Sequence, residues 1–219
     1  MRKQTLLVLW AALALTVSSC QFTRGLKGSG NLKTEKRTVA SFKAIDATGA
    51  YEVDVVCQKP VNVEIETDDN ILPLIKTEVR DGVLYVTSQE RYNATKGVTL
   101  RISVPDLTAI SSHGAGDIKI ADASSNELKI DSTGAASVKA TGKAKSLTIS
   151  STGAGDVDTS KLQAGKVRVS VSGAASIDVY ASEQLDVSVS GVGSVNYSGN
   201  PKTVNKNVSG LGSVNQKAE

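Results

Sequence analysis

Six glycine-centred motifs recur in the second half of the chain. They begin at Gly114 (Gly-Ala-Gly-Asp-Ile), Gly134 (Gly-Ala-Ala-Ser-Val), Gly153 (Gly-Ala-Gly-Asp-Val), Gly173 (Gly-Ala-Ala-Ser-Ile), Gly191 (Gly-Val-Gly-Ser-Val) and Gly210 (Gly-Leu-Gly-Ser-Val). Successive glycines are 20, 19, 20, 18 and 19 residues apart, and a weaker copy, Gly49-Ala50-Tyr51-Glu52-Val53, lies upstream. A period of this length marks a stack of similar units, each too small to bury its apolar face alone.

Aligned on the glycine, three columns are almost wholly aliphatic. Four residues after it stand Ile118, Val138, Val157, Ile177, Val195 and Val214. Six before it stand Thr108, Leu128, Leu147, Val167, Leu185 and Val204, and four before it Ile110, Ile130, Ile149, Val169, Val187 and Lys206. The exceptions fall in the first and last copies, as expected of terminal, capping units. Apolar and polar residues alternate with period two, and no copy carries a helical pattern. A unit of this size is either one coil of a parallel β-helix or one antiparallel hairpin. Columns of like residues favour the coil, where equivalent positions stack directly at about 4.8 Å. The column three after the glycine reads Asp117, Ser137, Asp156, Ser176, Ser194, Ser213. Alternation of Asp with Ser keeps like charges off adjacent strands, where they would repel.

The first half reads as further strands. Tyr51–Val56 and Val61–Ile65 alternate and are expected to form a hairpin. Asp81-Gly82 is a strong two-residue turn between Lys76–Arg80 and Val83–Ser88. Ile71-Leu72-Pro73-Leu74-Ile75, preceded by Asp69 and Asn70 as candidate caps, is expected to form one short helix. The expected fold class is thus all-β: a right-handed parallel β-helix-like stack of coils of about 19 residues, behind an N-terminal β-rich portion with one short helix.

The N-terminus reads as a secretory signal, with Arg2 and Lys3 before an apolar run from Leu6 to Val17. That run is shorter than the roughly 20 residues a spanning helix needs. It ends in Val17-Ser18-Ser19-Cys20, which resembles the bacterial lipobox, implying cleavage before Cys20 and diacylation of its sulfur, palmitate among the chains. Two or more chains anchor a protein stably. The expected organisation is a signal peptide over 1–19, lipidated Cys20 and a tether over 20–37, an N-terminal β-rich portion over 38–105 and the repeat over 106–215. Without residues 1–19 the chain keeps 23 basic against 22 acidic side chains. Such a balance gives no electrostatic footprint for nucleic acid.

No catalytic constellation stands out. His113, the one histidine, takes the slot that elsewhere holds Thr133, Thr152, Ser172, Ser190 and Ser209, and reads as a variant surface position. Asp117 and Asp156 are candidate acid/base groups or calcium ligands, but calcium wants six to eight converging oxygens. With Ser137 and Ser176 they read first as a solvent-facing ladder. No metal, cofactor-binding or catalytic residue is assigned, and no cofactor is expected. Cys57, at the end of a strand pattern, reads as a small buried hydrophobe. Asp131-Ser132-Thr133 resembles the short O-glycosylation acceptor of Bacteroidetes envelope proteins.

Three segments together resemble a known family. They are the repeated Ser/Thr-Gly-Ala-Gly-Asp-Ile/Val, the stretch Phe42-Lys-Ala-Ile-Asp-Ala-Thr-Gly-Ala-Tyr-Glu-Val-Asp-Val, and Asp68-Asp-Asn-Ile-Leu followed by Val79-Arg-Asp-Gly-Val-Leu-Tyr-Val. The family is the "putative auto-transporter adhesin, head GIN domain" family, common in Bacteroidetes lipoproteins, and the resemblance covers about residues 38 to 214. It implies a β-helical fold loosely like pectin lyases without their catalytic residues, and a role in adhesion. The expected function is therefore a lipid-anchored cell-envelope binding or adhesion module with no catalytic activity. Its expected location is the bacterial envelope, as an outer-membrane lipoprotein with an envelope glycan or protein as ligand. Gln21-Phe-Thr-Arg-Gly is not acidic, unlike the usual start of surface-exposed members, which keeps a periplasm-facing anchor open. A polysaccharide-active enzyme using Asp117, Asp156 and Arg168, and a passive periplasmic scaffold, are the alternatives. The ligand, the membrane face and the oligomeric state are not legible.

Overall fold

The computed structural model describes residues 25–217; the expected signal peptide and the expected lipidation site at Cys20 lie outside them. The fold is all-β. Its strands are β1 (Leu26–Lys27), β2 (Leu32–Lys36), β3 (Ala44–Ala50), β4 (Glu52–Val56), β5 (Asn62–Asp68), β6 (Ile75–Arg80), β7 (Val83–Ser88), β8 (Tyr92–Asn93) and β9 (Thr99–Ser103). One long ribbon, β10 (Ala109–Gly191), follows, then β11 (Ser194–Ser198), β12 (Thr203–Gly210) and β13 (Ser213–Gln216).

Pairing in the repeat is parallel and sets copy against copy. Leu185 lies opposite Val204 and Gly191 opposite Gly210, while Ile177, Val195 and Val214 form successive pairs. The upstream weak copy joins the same register, with Ile45 opposite Ile110, Gly49 opposite Gly114 and Val53 opposite Ile118. An array of antiparallel hairpins would not produce this. Within β10 the copies follow suit: the Lys129 amide donates to the Thr108 carbonyl at 2.9 Å. The aliphatic columns are buried between strands, from Leu128 and Ile130 through Leu147 and Ile149 to Leu185 and Val187. At about 1.5–3 kcal/mol for each fully buried side chain, these columns dominate the stability of the stack.

The glycine column holds the copies close. Gly134 and Gly153 have φ of +122° and +135°, where L side chains are strained. A Cβ on Gly153 would also overlap the backbone carbonyl of Gly134, and one on Gly134 that of Gly114. The motif glycine is thus required twice, by its own torsion angle and by the rung beneath it.

At the N-terminal end the pairing becomes antiparallel. β9 lies parallel to β4, β5 pairs antiparallel with β9, and β2 antiparallel with β5. The expected hairpin between Tyr51–Val56 and Val61–Ile65 is therefore not formed, because β9 inserts between its two strands. The Asp81-Gly82 hairpin is formed: Arg80 faces Val83, and both turn residues have positive φ, 51° and 74°, as a type I′ turn requires.

Two further expectations are corrected. The short helix is only a 3-10 turn, Leu72–Leu74, with no side-chain cap. Its candidate caps are occupied elsewhere: Asp69 accepts from the Ser29 hydroxyl at 2.5 Å and the Asn70 amide donates to the Lys27 carbonyl at 2.8 Å. Ile71 and Leu72 are buried, so the run serves as a tight apolar link between β5 and β6. Residues 25–37, expected within a tether, are paired through β1 and β2.

Candidate functional site

The outward columns on either side of the glycine corner differ in chemistry. Before the glycine, hydroxyl residues prevail, with Ser150, Ser170 and Ser188 in one column and Thr133, Thr152, Ser172 and Ser190 in another. One network interrupts them. Asp186 accepts from Gln184 at 2.8 Å and Asn205 at 2.7 Å, with Arg168 at 3.9 Å. His113 sits exposed in this face, opposite Thr48 and 3.8 Å from an Asp46 oxygen.

After the glycine, charges are abundant and mutually paired. Arg101 makes a two-pronged contact with Glu66, 3.1 and 3.2 Å, which holds that carboxyl below its usual range, helped by the Thr34 hydroxyl. Lys119 bridges Glu52 at 2.7 Å and Asp54 at 3.7 Å. Its ammonium is pushed up first by the Glu52 hydrogen bond and then by Asp54. Asp178 accepts from Asn196 at 3.0 Å and from Lys217 at 2.7 Å.

Asp117 and Asp156 are exposed and Ser137 and Ser176 half-buried, at equivalent places in successive copies. Ser176 lies opposite Ser194, their hydroxyls 3.4 Å apart, and Ser194 opposite Ser213. A column spaces its members along the stack rather than converging them. Among the described residues no group of three His, Cys, Asp or Glu side chains is arranged to hold a metal ion. Arg168 lines two shallow depressions with Asp186, and neither includes Asp117 or Asp156.

Cys57 is 1% exposed, and burial first, then Asp106 and Asp122, pushes its thiol up to about 11. It is a protonated core side chain at neutral pH. A residue that sequence reasoning passed over is Asp68. Its buried carboxylate accepts from the amides of Gly30 at 2.6 Å and Thr95 at 2.7 Å. The Thr95 hydrogen bond leads in holding it below the ordinary carboxylate range. A Cβ at Gly28 would overlap this carboxylate, so Gly28 admits a close approach that no other residue would.

At the other bend of the repeat an open groove of about 530 Å³ crosses five successive rungs, from Asp106 through Asn126, Ala144 and Ala164 to Tyr180.

A family match over residues 41–201 decides the kinship of this chain. It belongs to the "putative auto-transporter adhesin, head GIN domain" family. The fold is similar to a crystal structure of a "putative adhesin" from Bacteroides fragilis, 25% identical, covering 88% of this chain and 100% of that one, with a TM-score of 0.73. Two Parabacteroides distasonis structures share the fold. A "putative adhesin" is 20% identical over 88% of this chain and 99% of its own (TM-score 0.54), and a "putative lipid binding protein" is 17% identical over the same shares (TM-score 0.51). No curated protein matches in sequence. Among the described residues of this adhesin-family chain, no helix is long and apolar enough to cross a membrane.

Proposed function

We propose that this chain is a lipid-anchored binding and adhesion module of the bacterial cell envelope, without catalytic activity. The observation that carries the reading is the set of in-register outward polar columns, which offer an extended surface in place of a convergent reaction centre. In this reading residues 1–19 are the signal peptide, Cys20 carries the lipid and the anchor sits in the outer membrane. Residues 38–105 then end a right-handed β-helix-like stack formed by 106–215. The parallel offsets of 18 and 19 residues between copies support the winding. Family kinship supports adhesion, and the ligand is an envelope glycan or protein.

Two measurements test it. Labelled palmitate should enter the wild-type protein and not Cys20→Ser, which should also leave the membrane fraction. Purified protein should adhere to isolated envelope, and replacing Ser150, Ser170 and Ser188 together by bulky lysines should weaken adhesion about tenfold if that face is used. Absence of adherence to any envelope fraction removes the reading. Turnover of a glycan panel lost in Asp156→Asn would replace it with the enzyme alternative.

A further inference from the structure

We infer that the groove at the second bend of the repeat is a carbohydrate-binding site, with Tyr180 as its stacking platform and acidic saccharides as its preferred ligands. The inference deepens the adhesion reading and rests on it for biological context.

The groove exists because the chain is locally stripped of side chains. Ala144 and Ala164 are buried in its floor and Gly165 continues it. A Cβ at Gly165 would come within 3.0 Å of the Lys145 carbonyl. Five successive rungs contribute, which at about 4.8 Å per step makes a channel of roughly 19 Å. That length suits an oligosaccharide better than a single sugar.

Tyr180 is half-buried at one end. Its ring lies against Gly199, where an added Cβ would stand 3.3 Å from the ring edge. The missing side chain lets the ring settle, so it is a held surface rather than a swinging one. An aromatic ring with an apolar face and a wet hydroxyl is suited to a ligand of the same mixed character. The C–H face of a pyranose is such a ligand, since its edge carries hydroxyls needing donors and acceptors. The exposed amides of Asn126 and Gln163 supply both. Ser125 and Ser182 are already turned to carbonyls, of Leu107 at 2.6 Å and Ala164 at 3.3 Å, which fixes the walls.

Charge selects among saccharides. Asp106 is engaged by Ser125 at 2.9 Å and Lys43 at 3.5 Å. Lys143 and Lys145 also line the groove, and no carboxylate among the described residues is within ion-pairing distance of either. The Glu183 carboxylate lies against Gly165, 3.3 Å from where a Cβ there would stand, so the negative charge sits towards the Tyr180 end and the positive charge on the Lys143–Lys145 copy. Uronic acid or sulfate groups would complement it.

The test uses the full-length lipoprotein in detergent, by affinity electrophoresis against polygalacturonate, alginate, hyaluronan and dextran sulfate, with neutral dextran as reference. At least one acidic polymer should retard the protein more than dextran does. Tyr180→Ala should weaken that retardation about tenfold, while Tyr180→Trp keeps it. Lys143→Ala with Lys145→Ala should weaken it and flatten its salt dependence. Unchanged thermal unfolding of the variants excludes misfolding as the cause. No retardation by any acidic polymer, equal retardation by dextran, or an unaffected Tyr180→Ala overturns the inference. Adherence to envelope that persists in Tyr180→Ala would discard the groove and leave the adhesion reading standing, whereas wild-type protein that adheres to nothing removes that reading.

Discussion

The N-terminal portion, β1 to β9, and the repeat, β10 to β13, solve the same problem differently. In the repeat, register comes from identity. Each copy presents the same aliphatic columns to the next, and the glycine column admits a backbone approach that no side chain would allow. In the N-terminal portion, beyond the upstream copy in β3 and β4, register is held by singular contacts. The Asp68 carboxylate binds the backbone of two distant segments, Gly30 and Thr95, and Arg101 grips Glu66 across β9 and β5. A repeat stabilises a stack but carries no instruction to stop. Unique polar contacts and charged edge strands supply that instruction: the edge strands β2 and β6 carry Lys33, Lys36 and Lys76, and such charges blunt an edge that would otherwise invite pairing. The last copy stops by a different device. Lys206 replaces an inward aliphatic, donates to the Val214 carbonyl at 3.1 Å and lies over the Tyr197 ring.

The largest effect expected from this contrast separates two glycines. Gly153→Ala should cost about 3 kcal/mol or more, from strain at positive φ together with overlap on the next rung. Gly30→Ala also meets a positive φ, +86°, but open space, and should cost about 1–2 kcal/mol. Urea unfolding of both variants measures the difference, and equal losses would mean that close stacking adds nothing.

A smaller and local effect is expected at Asp68. Its pKa is lowered in the folded chain, so its contribution is fully present above the ordinary carboxylate value of about 3.9 and lost as pH falls through the lower folded value. Hydrogen exchange should therefore show the 25–36 segment opening in acid before the repeat does, and Asp68→Asn should loosen the same segment at neutral pH. Uniform loss of protection across both portions would break the proposed division of labour. Arg101→Ala should be the mildest, within about 1 kcal/mol, because exposed ion pairs are screened and entropically costly. A thermal melt reads it directly.

Much of the repeat was legible because its signal is periodic. The columns from Leu128 to Val187 are buried as their alternation requires, and Asp81-Gly82 turns as its torsion preferences demand. Alternation marks Tyr51–Val56 and Val61–Ile65 as strands but not their neighbours, so the expected hairpin gives way to β9 lying between them. The expected helix shortens to a three-residue turn at Leu72–Leu74, because Asp69 and Asn70, good caps by type, are claimed by Ser29 and Lys27 far away in sequence. The candidate ladder of Asp117, Ser137, Asp156 and Ser176 is readable as surface, whereas the groove is not, because its lining comes from five separate rungs and its floor is made of absent side chains.

The sequence by itself determined the strand period, the inward columns, the glycine at each corner and the resemblance to an adhesin family, all of them properties of residues near one another or repeated at one interval. Only the tertiary structure decided which strand lies between β4 and β5, why Gly28 must be glycine and that Tyr180, Asn126 and Lys145 line one groove. Those outcomes depend on contacts between residues that no local periodicity relates, and their energies exist only once the chain has brought them together.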